Sequence, residues 1–278
     1  MTDTSQPLFL FGAGYCAHAL AAIWPGPVSA SVRSKAKIKP LQQARITPVP
    51  CTDNVSFREH LTGAHVVISA PPDQHGCPGL TTMVEHIAQA ASVTYLSTTG
   101  VYGDLGGGWA MEWTDVNPQS ERAARRVAAE SGWRAAFPAT RIVRLPGIYG
   151  PGRSQLDRLR DGRAQRIVKP GQVFSRAHVE DIASGLKALI LSGAPGVFHL
   201  CDEEPAPPQE VTTFAAGLLG IDPPAEINFE TADLPDMTRS FYLECKRVSN
   251  ARVKAVTGWR PNYATYREGL KAILARGG

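Results

Sequence analysis

The sequence has few of the features that mark secreted, metal-binding or membrane-spanning chains. Its five cysteines are an odd number, widely spaced and without a C-x-x-C pair, so neither a disulfide framework nor a zinc site is predicted. No run approaches the roughly 18 apolar residues of a membrane span. The start, residues 1–6, is polar and lacks the pattern of a signal peptide. We therefore expect no membrane association and a reducing, cytoplasmic setting.

Charge is also sparse. Charged residues make up 19% of the chain, and 29 Lys and Arg against 25 Asp and Glu leave a formal net charge of +4. Because the basic residues are dispersed, nucleic acid is not the expected partner. Apolar residues, at 43%, are plentiful and suffice for an ordinary globular core. The length fits about two domains or a single α/β body with a small lobe, and we prefer the second.

Strands alternate with helices along the first half of the chain. Short apolar runs predict strands at 8–11, 28–32, 65–70, 93–98 and 140–145. Helical spacing of apolar residues predicts helices at 15–24, 56–61, 80–91 and 119–131. This alternation predicts an α/β fold, a Rossmann-type doubly wound parallel sheet built from right-handed βαβ units. A functional site is then expected at the carboxyl ends of the strands.

The alternation stops after Leu145. Residues 147–172 are rich in Gly, Pro and Arg, and a helix at 179–191 and a strand at 196–200 are predicted to follow. Further helices are predicted near 210–219, 250–257 and 266–275. We therefore predict a Rossmann domain over 1–147, to which 178–202 return. Residues 148–177 and 203–278 are predicted to form a small C-terminal α/β lobe that binds substrate.

A glycine turn follows the first predicted strand and reads Gly12-Ala13-Gly14-Tyr15-Cys16-Ala17. A dinucleotide pyrophosphate binds at free backbone N–H groups of a helix N-terminus, where side chains would obstruct it. Gly12 suits the tight turn, Gly14 the close approach of the phosphate, and the small Ala17 the packing of helix on strand. With Tyr15 and Cys16 at the start of the helix, this segment is predicted to bind the cofactor. The alternative is a purely structural turn.

The end of the second predicted strand indicates which dinucleotide is bound. An acidic residue there usually contacts the ribose of NAD, whereas an arginine accommodates the 2′-phosphate of NADP. This chain has Arg33 and Ser34 and no carboxylate, so we predict NADP rather than NAD. A solvated basic cluster is the alternative. Ala70 and Pro71 follow another predicted strand and are expected to line the cofactor groove.

Four further segments resemble one family. They are 96–104 (LSTTGVYGD), 144–153 (RLPGIYGPGR), 176–183 (RAHVEDIA) and 197–202 (VFHLCD). Their order and spacing resemble the extended short-chain dehydrogenase/reductases, which include nucleotide-sugar epimerases and dehydratases. The resemblance implies an NAD(P)-binding, epimerase/dehydratase-like protein in which Thr98 orients the substrate oxygen beside the nicotinamide.

The chain departs from this family at the catalytic Tyr-x-x-x-Lys pair, since Arg122 and Arg126 occupy those positions. Arg stays protonated to a pH above about 12 and cannot act as the general acid/base. The two arginines are either a charged helix face, with Glu130 relieving their repulsion, or a cradle for an anion beside the nicotinamide. Asn117 and Pro118 are predicted as the N-cap and first position of this helix. The glycine turn also departs from the family's G-x-x-G-x-x-G.

Two further residues are candidates for substrate binding. Tyr102 follows the strand that carries Thr98, although packing is an alternative role. Arg176 falls where the family binds a substrate phosphate, and its alternative is a structural salt bridge, for instance with Asp181. His75 and Cys77 are two soft ligands without companions, so no metal site is predicted.

Two functions remain open from the sequence. The first is an NADP-dependent oxidoreductase or epimerase acting on an anionic small molecule, with Thr98, Arg122 and Arg126 as candidate catalytic residues. The second is a catalytically silent NADP(H)-binding protein that serves as a redox sensor or regulatory module. Either is expected to be a monomer or a homodimer.

Overall fold

The computed structural model describes residues 6–277. Residues 1–5, which carry most of the polar start discussed above, and Gly278 lie outside the described residues. Within residues 6–277 no helix has both the length and the apolar character needed to cross a membrane.

The strands and helices of the described residues are numbered in chain order. The strands are β1 Leu8–Phe11, β2 Val28–Val32, β3 Thr47–Pro50, β4 His65–Ile68, β5 Ser92–Thr98, β6 Trp109–Ala110, β7 Arg141–Leu145, β8 Gly147–Tyr149, β9 Arg166–Val168, β10 Arg176–His178, β11 Gly196–His199, β12 Glu226–Asn228 and β13 Arg247–Val248. The helices are α1 Tyr15–Ile23, α2 Ile38–Gln43, α3 Asn54–Leu61, α4 Pro78–Met83, α5 Glu121–Ala136, α6 Gln155–Arg160, α7 Val179–Ser192, α8 Pro208–Leu219, α9 Asp236–Tyr242, α10 Ala251–Thr257 and α11 Tyr266–Ala275.

The central sheet has seven parallel strands in the order β11-β7-β5-β4-β1-β2-β3. This is the doubly wound arrangement that the alternation of strands and helices predicts, and the fold class is confirmed. The sheet order places the carboxyl ends of β1, β2, β4 and β5 at one edge, so the loops that follow these strands meet there. Sequence analysis missed β3, because Pro48 and Pro50 argue against a strand. Its edge position explains how it tolerates them.

Two predicted helices differ in extent from those observed. The helix expected at 80–91 ends at Met83 and is followed by a separate 3₁₀ turn, Ile87–Gln89. Helix α5 begins at Glu121, and the hydroxyl of Ser120, not Asn117, caps it by accepting a hydrogen bond from the amide of Ala123 at 3.2 Å. Asn117 and Pro118 therefore lie in the preceding loop, and the prediction of this N-cap was wrong.

Apolar side chains fill both faces of the sheet. Helices α1 and α7 pack on one face, around Leu20 and Leu186. Trp133 of α5 and Phe57 of α3 are buried on the other face. A separate cluster under α6, α8 and α11 includes Leu156. The sheet is therefore covered on both sides, and the carboxyl-end edge remains open for a site.

The last part of the chain adds three short parallel pairs, β8 with β10, β9 with β12 and β6 with β13. Strand β8 follows β7 after Pro146, and β10 leads into α7, which returns to the main sheet through β11. The chain thus leaves the sheet after β7 and comes back at α7. The division into domains made from the sequence stays a prediction.

Candidate functional site

Gly12 forms the tight part of the turn between β1 and α1. Its φ is +90°, and a Cβ added there would lie 2.9 Å from the backbone nitrogen of Ala70, so only glycine fits. The amide of Gly12 donates to Ser31 Oγ at 3.0 Å, and Ser69 Oγ donates to the carbonyl of Gly12. Sequence analysis missed these two serines. Each ends a neighbouring strand, and together they fix the turn.

Neither backbone strain nor a close neighbour explains why residue 14 is a glycine. It is exposed, its φ is −91°, and a Cβ added there would meet only Ser69 Oγ at 3.9 Å. Helix α1 begins at the next residue, and no side chain caps it. Its first N–H groups therefore have no capping side chain, as an anion site at a helix N-terminus requires. Cys16 and Ala17 are buried against the core and contribute backbone rather than side chains.

Tyr15 links this turn to the loop after β8. Its hydroxyl donates to the carbonyl of Pro151 at 2.9 Å. The Arg153 guanidinium carbon lies 5.9 Å from the centre of the Tyr15 ring. Arg153 is exposed and has no ion pair among residues 6–277. It adds a free positive charge beside the turn, which sequence analysis missed because the loop is far away in the chain.

Arg33 and Ser34 lie directly after β2, as predicted. Both are exposed. Ser34 Oγ accepts a hydrogen bond from the amide of Ala36 at 3.3 Å and caps a 3₁₀ turn, so this oxygen is already used as an acceptor. Arg33 has no hydrogen bond or ion pair in the part of the chain that the structure describes. Its guanidinium is therefore available to a ligand bound at the end of β2.

Thr98 ends β5 and is half-buried. Its Oγ1 accepts a hydrogen bond from the amide of Gly100 at 3.2 Å. The hydroxyl proton is then left to donate, and Thr98 can orient an acceptor oxygen such as a carbonyl. In the segment after the neighbouring strand β4, Ala70 packs against Gly12, and Pro71 is exposed.

Arg122 and Arg126 lie on the first half of α5 but have different surroundings. Arg126 Nη1 donates to the carbonyl of Leu96 at 2.8 Å and to the hydroxyl of Tyr95 at 3.1 Å. Arg122 is exposed and lies over the ring of Phe241, 4.9 Å from its centre. Arg126 therefore ties α5 to β5, and Arg122 is the freer cation.

A groove of about 480 Å³ separates α5 from the loop after β4. Its lining combines three arginines of α5 with a short loop segment. These residues are Arg122, Arg125 and Arg126 with Pro71, Pro72, Asp73, Gln74 and His75. One lining residue, Arg126, hydrogen-bonds to the Leu96 carbonyl of β5, the strand that ends at Thr98.

Glu130 does not relieve the repulsion between the arginines of α5, and this prediction was wrong. Its carboxylate accepts two hydrogen bonds from Arg144 of β7, at 2.6 and 3.0 Å. Both side chains are only 6% exposed. The physical reason is burial, because Glu130 faces the sheet, where Arg144 requires a counter-charge.

Tyr102 is fully buried beside this pair. Its hydroxyl accepts a hydrogen bond from Arg144 Nη1 at 2.8 Å and lies 2.6 Å from His199 Nε2. Burial raises the pKa of Tyr102 to about 12. Tyr102 is not among the residues that line the groove, and its hydroxyl is engaged by Arg144 and His199, as the packing alternative expects. Burial also raises the pKa of Tyr95 to about 12, so neither tyrosine resembles the acid/base of the family.

Arg176 is likewise engaged inside the protein. Its Nη1 donates to the carbonyls of Phe174 and Ala206, at 2.8 and 3.1 Å, and burial lowers its pKa. The salt bridge considered from the sequence is not formed, because Asp181 accepts from the amides of Asn262 and Tyr263, at 2.6 and 3.2 Å. Arg176 therefore holds backbone segments together at the junction with β10.

Asp202 follows β11 and gives the protein a measurable pH dependence. Burial raises the pKa of its carboxyl to about 8, partly opposed by the charge of Arg176. Above its ordinary pKa the unfolded chain ionises Asp202, while the folded chain keeps the proton until about pH 8, so stability falls as the pH rises. We expect Asp202 to lower the free energy of unfolding by about 1.5 kcal/mol between pH 6.5 and 8.

Urea denaturation at several pH values measures this change, and Asp202→Asn should remove it. His178 and His199, whose pKa values burial lowers to about 4, change stability in the opposite direction. Half of each unfolded-state imidazole is still protonated at pH 6.5, so these histidines offset part of the decrease up to about pH 7.5. They are unchanged in Asp202→Asn, and the difference between the two pH profiles isolates Asp202. An equal slope in the wild type and in Asp202→Asn would contradict the assignment.

One solved structure decides the family of this chain. It is a functionally unknown conserved protein from Silicibacter pomeroyi DSS, with a TM-score of 0.90 and 40% identity, covering 98% of this chain and 99% of that chain. The chain belongs to the same family as that protein. Its fold is the epimerase/dehydratase-like fold of the extended short-chain dehydrogenase/reductases. The resemblance seen in the four sequence segments is confirmed, although no family model matches the chain.

More distant proteins share this short-chain dehydrogenase/reductase fold. The dTDP-glucose 4,6-dehydratase of Bacillus anthracis str. Ames, solved in complex with NAD, superposes with a TM-score of 0.77 at 16% identity over 97% of this chain and 96% of that chain. A 3-diazoavenalumate denitrifying reductase from Streptomyces sp is 29% identical over 142 residues, 46% of this chain and 45% of the relative. The match thus spans less than half of that relative. An NAD(P) cofactor is typical of this group.

Proposed function

We propose that this protein binds NADP(H) at the glycine turn and transfers hydride between the cofactor and an anionic small molecule. The observation that carries the proposal is Gly14. It is exposed, free of backbone strain and without close neighbours, at the uncapped start of α1. Packing and conformation leave this glycine unexplained, whereas a pyrophosphate lying against the backbone requires it.

Three groups fit a bound dinucleotide, and two more fit a substrate. The amides at the start of α1 and the free Arg153 guanidinium suit the pyrophosphate. Arg33 suits the 2′-phosphate that distinguishes NADP from NAD. The hydroxyl of Thr98, at the end of β5, donates a hydrogen bond to the substrate oxygen. Arg122 pairs with the negative charge of the substrate. When bound, NADPH supplies the hydride.

Reduction of a carbonyl also requires a proton. Tyr95 and Tyr102 hydrogen-bond to Arg126 and Arg144, respectively. Both have a pKa of about 12, so neither is a suitable proton donor near neutral pH. A guanidinium is not a general acid near neutral pH. The groove is open at the surface, and in this proposal the proton comes from water.

Arg33→Ala tests the cofactor part of the proposal. We expect it to weaken NADPH binding by about tenfold or more, because a charge-assisted contact to a phosphate contributes about 1.5–3 kcal/mol. NADH binding should change little, since NADH has no 2′-phosphate. Fluorescence titration with both cofactors measures the effect. Lys39→Ala, which removes one exposed positive charge from the same region, is the matched control and should bind both normally. Equal losses for NADPH and NADH would contradict a role in reading the phosphate.

A second function is favoured by the missing Tyr-x-x-x-Lys pair and by the engaged tyrosines: a catalytically silent NADP(H)-binding protein. NADPH consumption with a panel of aldehydes and ketones that carry a carboxylate or a phosphate separates the two. Turnover that falls about 100-fold or more in Thr98→Ala supports the enzyme. Tight NADPH binding without turnover of any compound in the panel supports the silent protein.

A further inference from the structure

Helix α9 places large apolar side chains in solvent. Met237 and Phe241 are 63% and 46% exposed, and Leu243, directly after the helix, is 63% exposed. The helix is anchored by Tyr242, which packs against Phe174 and Phe229 with ring centres 5.3 and 5.2 Å away. The exposed side chains therefore lie on a fixed element, and clustered apolar exposure of this kind marks binding surfaces.

The segment after α9 is fastened to the end of β5. Lys246 Nζ donates to the carbonyl of Gly103 at 2.6 Å, and the amide of Cys245 donates to Asp104 Oδ1 at 2.7 Å. Both acceptors follow the strand that ends at Thr98. The segment after α9 is thus joined to the loop that follows β5.

Arg122 joins the apolar helix to the basic groove. It lines the groove and at the same time lies 4.9 Å over the ring of Phe241. The other two arginines of the groove are engaged, Arg125 with Glu121 at 2.6 Å and Arg126 with the end of β5. Arg122 has no ion pair within residues 6–277, so it is the cation left for a ligand whose body reaches α9.

We propose that the substrate class of this site is a carboxylate on a flat apolar body, such as an aryl carboxylate, rather than a nucleotide sugar. The carboxylate pairs with the Arg122 guanidinium, and the apolar body packs against Phe241 and Met237. A sugar or a phosphate chain would gain no hydrogen bond from these two side chains and would remove less of their apolar surface from water. This inference names the substrate of the proposed hydride transfer and rests on that function for the reaction, but not for binding.

Isothermal titration with 2-naphthoate, acetate and dTDP, with and without saturating NADPH, tests the inference. 2-Naphthoate should bind at least tenfold more tightly than acetate, which has the charge without the body, and more tightly than dTDP. Phe241→Ala should weaken 2-naphthoate about tenfold and leave acetate unchanged. Arg122→Ala should weaken both. Ile221→Ala removes an apolar side chain of similar exposure, 47%, outside the groove and should change nothing.

Three results would overturn the inference: equal affinities for 2-naphthoate and acetate, an unchanged affinity in Phe241→Ala, or dTDP binding more tightly than 2-naphthoate. Met237→Ala gives an independent reading of the apolar contact and should weaken 2-naphthoate alone. NADPH affinity, measured in the same samples, separates this inference from the proposed function. Normal NADPH binding with failed naphthoate selectivity rejects the substrate class only. Selective naphthoate binding without NADPH binding supports the substrate class and rejects the cofactor.

Discussion

Replacing Gly14 with valine should abolish NADPH binding and leave the folded protein intact. The new side chain would occupy the space against which the pyrophosphate lies, at the start of α1. It meets no backbone there, since the nearest atom to an added Cβ is Ser69 Oγ at 3.9 Å. We expect a loss of affinity of at least about 100-fold, or about 2.8 kcal/mol. Fluorescence titration with NADPH measures it, and thermal unfolding verifies the fold.

Two other glycines serve as controls for this substitution. Gly217 in α8 is exposed and has no atom within 4 Å of an added Cβ, so Gly217→Val should bind NADPH normally. Gly12→Val should instead lose the folded turn, because its added Cβ approaches the Ala70 backbone to 2.9 Å. An unchanged NADPH affinity in a folded Gly14→Val protein would remove the turn from the site.

The second large effect is expected on stability, from Arg144→Met. The substitution leaves the Glu130 carboxylate, 6% exposed, without the two hydrogen bonds that Arg144 donates. Removing one partner of a buried ion pair costs about 3–5 kcal/mol. Urea denaturation should report a loss of that size. Arg163→Met, which breaks an ion pair with Asp161 at the surface, where the two side chains are 68% and 51% exposed, should cost less than about 1 kcal/mol.

The double substitution Arg144→Met and Glu130→Met separates the cost of an unpaired charge from the cost of lost packing. With both charged groups replaced by apolar ones of similar size, much of the stability should return. A single Arg144→Met variant as stable as Arg163→Met would show that Glu130 finds another partner or a proton at no cost.

Much of the fold is predictable because its signals are local. Apolar runs gave the bounds of β1 and β2 correctly, and the amphipathic spacing of α11 gave 266–275 as observed. The strand that was missed, β3, contains two prolines, and only its place at the sheet edge makes them acceptable. Whether a strand lies at the edge or in the centre is a property of the assembled sheet, and a local sequence pattern does not contain it.

The residues of the candidate site also differ in whether local sequence or the assembled fold reveals them. The glycine turn and Arg33 adjoin the strands that position them, and a sequence motif suffices to find them. Ser31, Ser69 and Arg153 act on the turn from other parts of the chain, and the partner of Glu130 is on a strand, not on its own helix. Helical spacing suggested the pairing of Glu130 with Arg126, but the requirement to neutralise a buried charge is stronger than a surface i,i+4 contact.

The contacts of Arg126 restrict which side chain position 126 can carry. Its planar head group reaches two acceptors at once, the Leu96 carbonyl and the Tyr95 hydroxyl. A lysine has a compact ammonium on a flexible stem and loses more side-chain entropy for each hydrogen bond that it forms. Installing Tyr and Lys at positions 122 and 126 would therefore loosen the joint between α5 and β5 and remove the free cation of Arg122 in the same step. An engineer who wanted tyrosine-based catalysis on this scaffold would first have to rebuild the contacts of that strand.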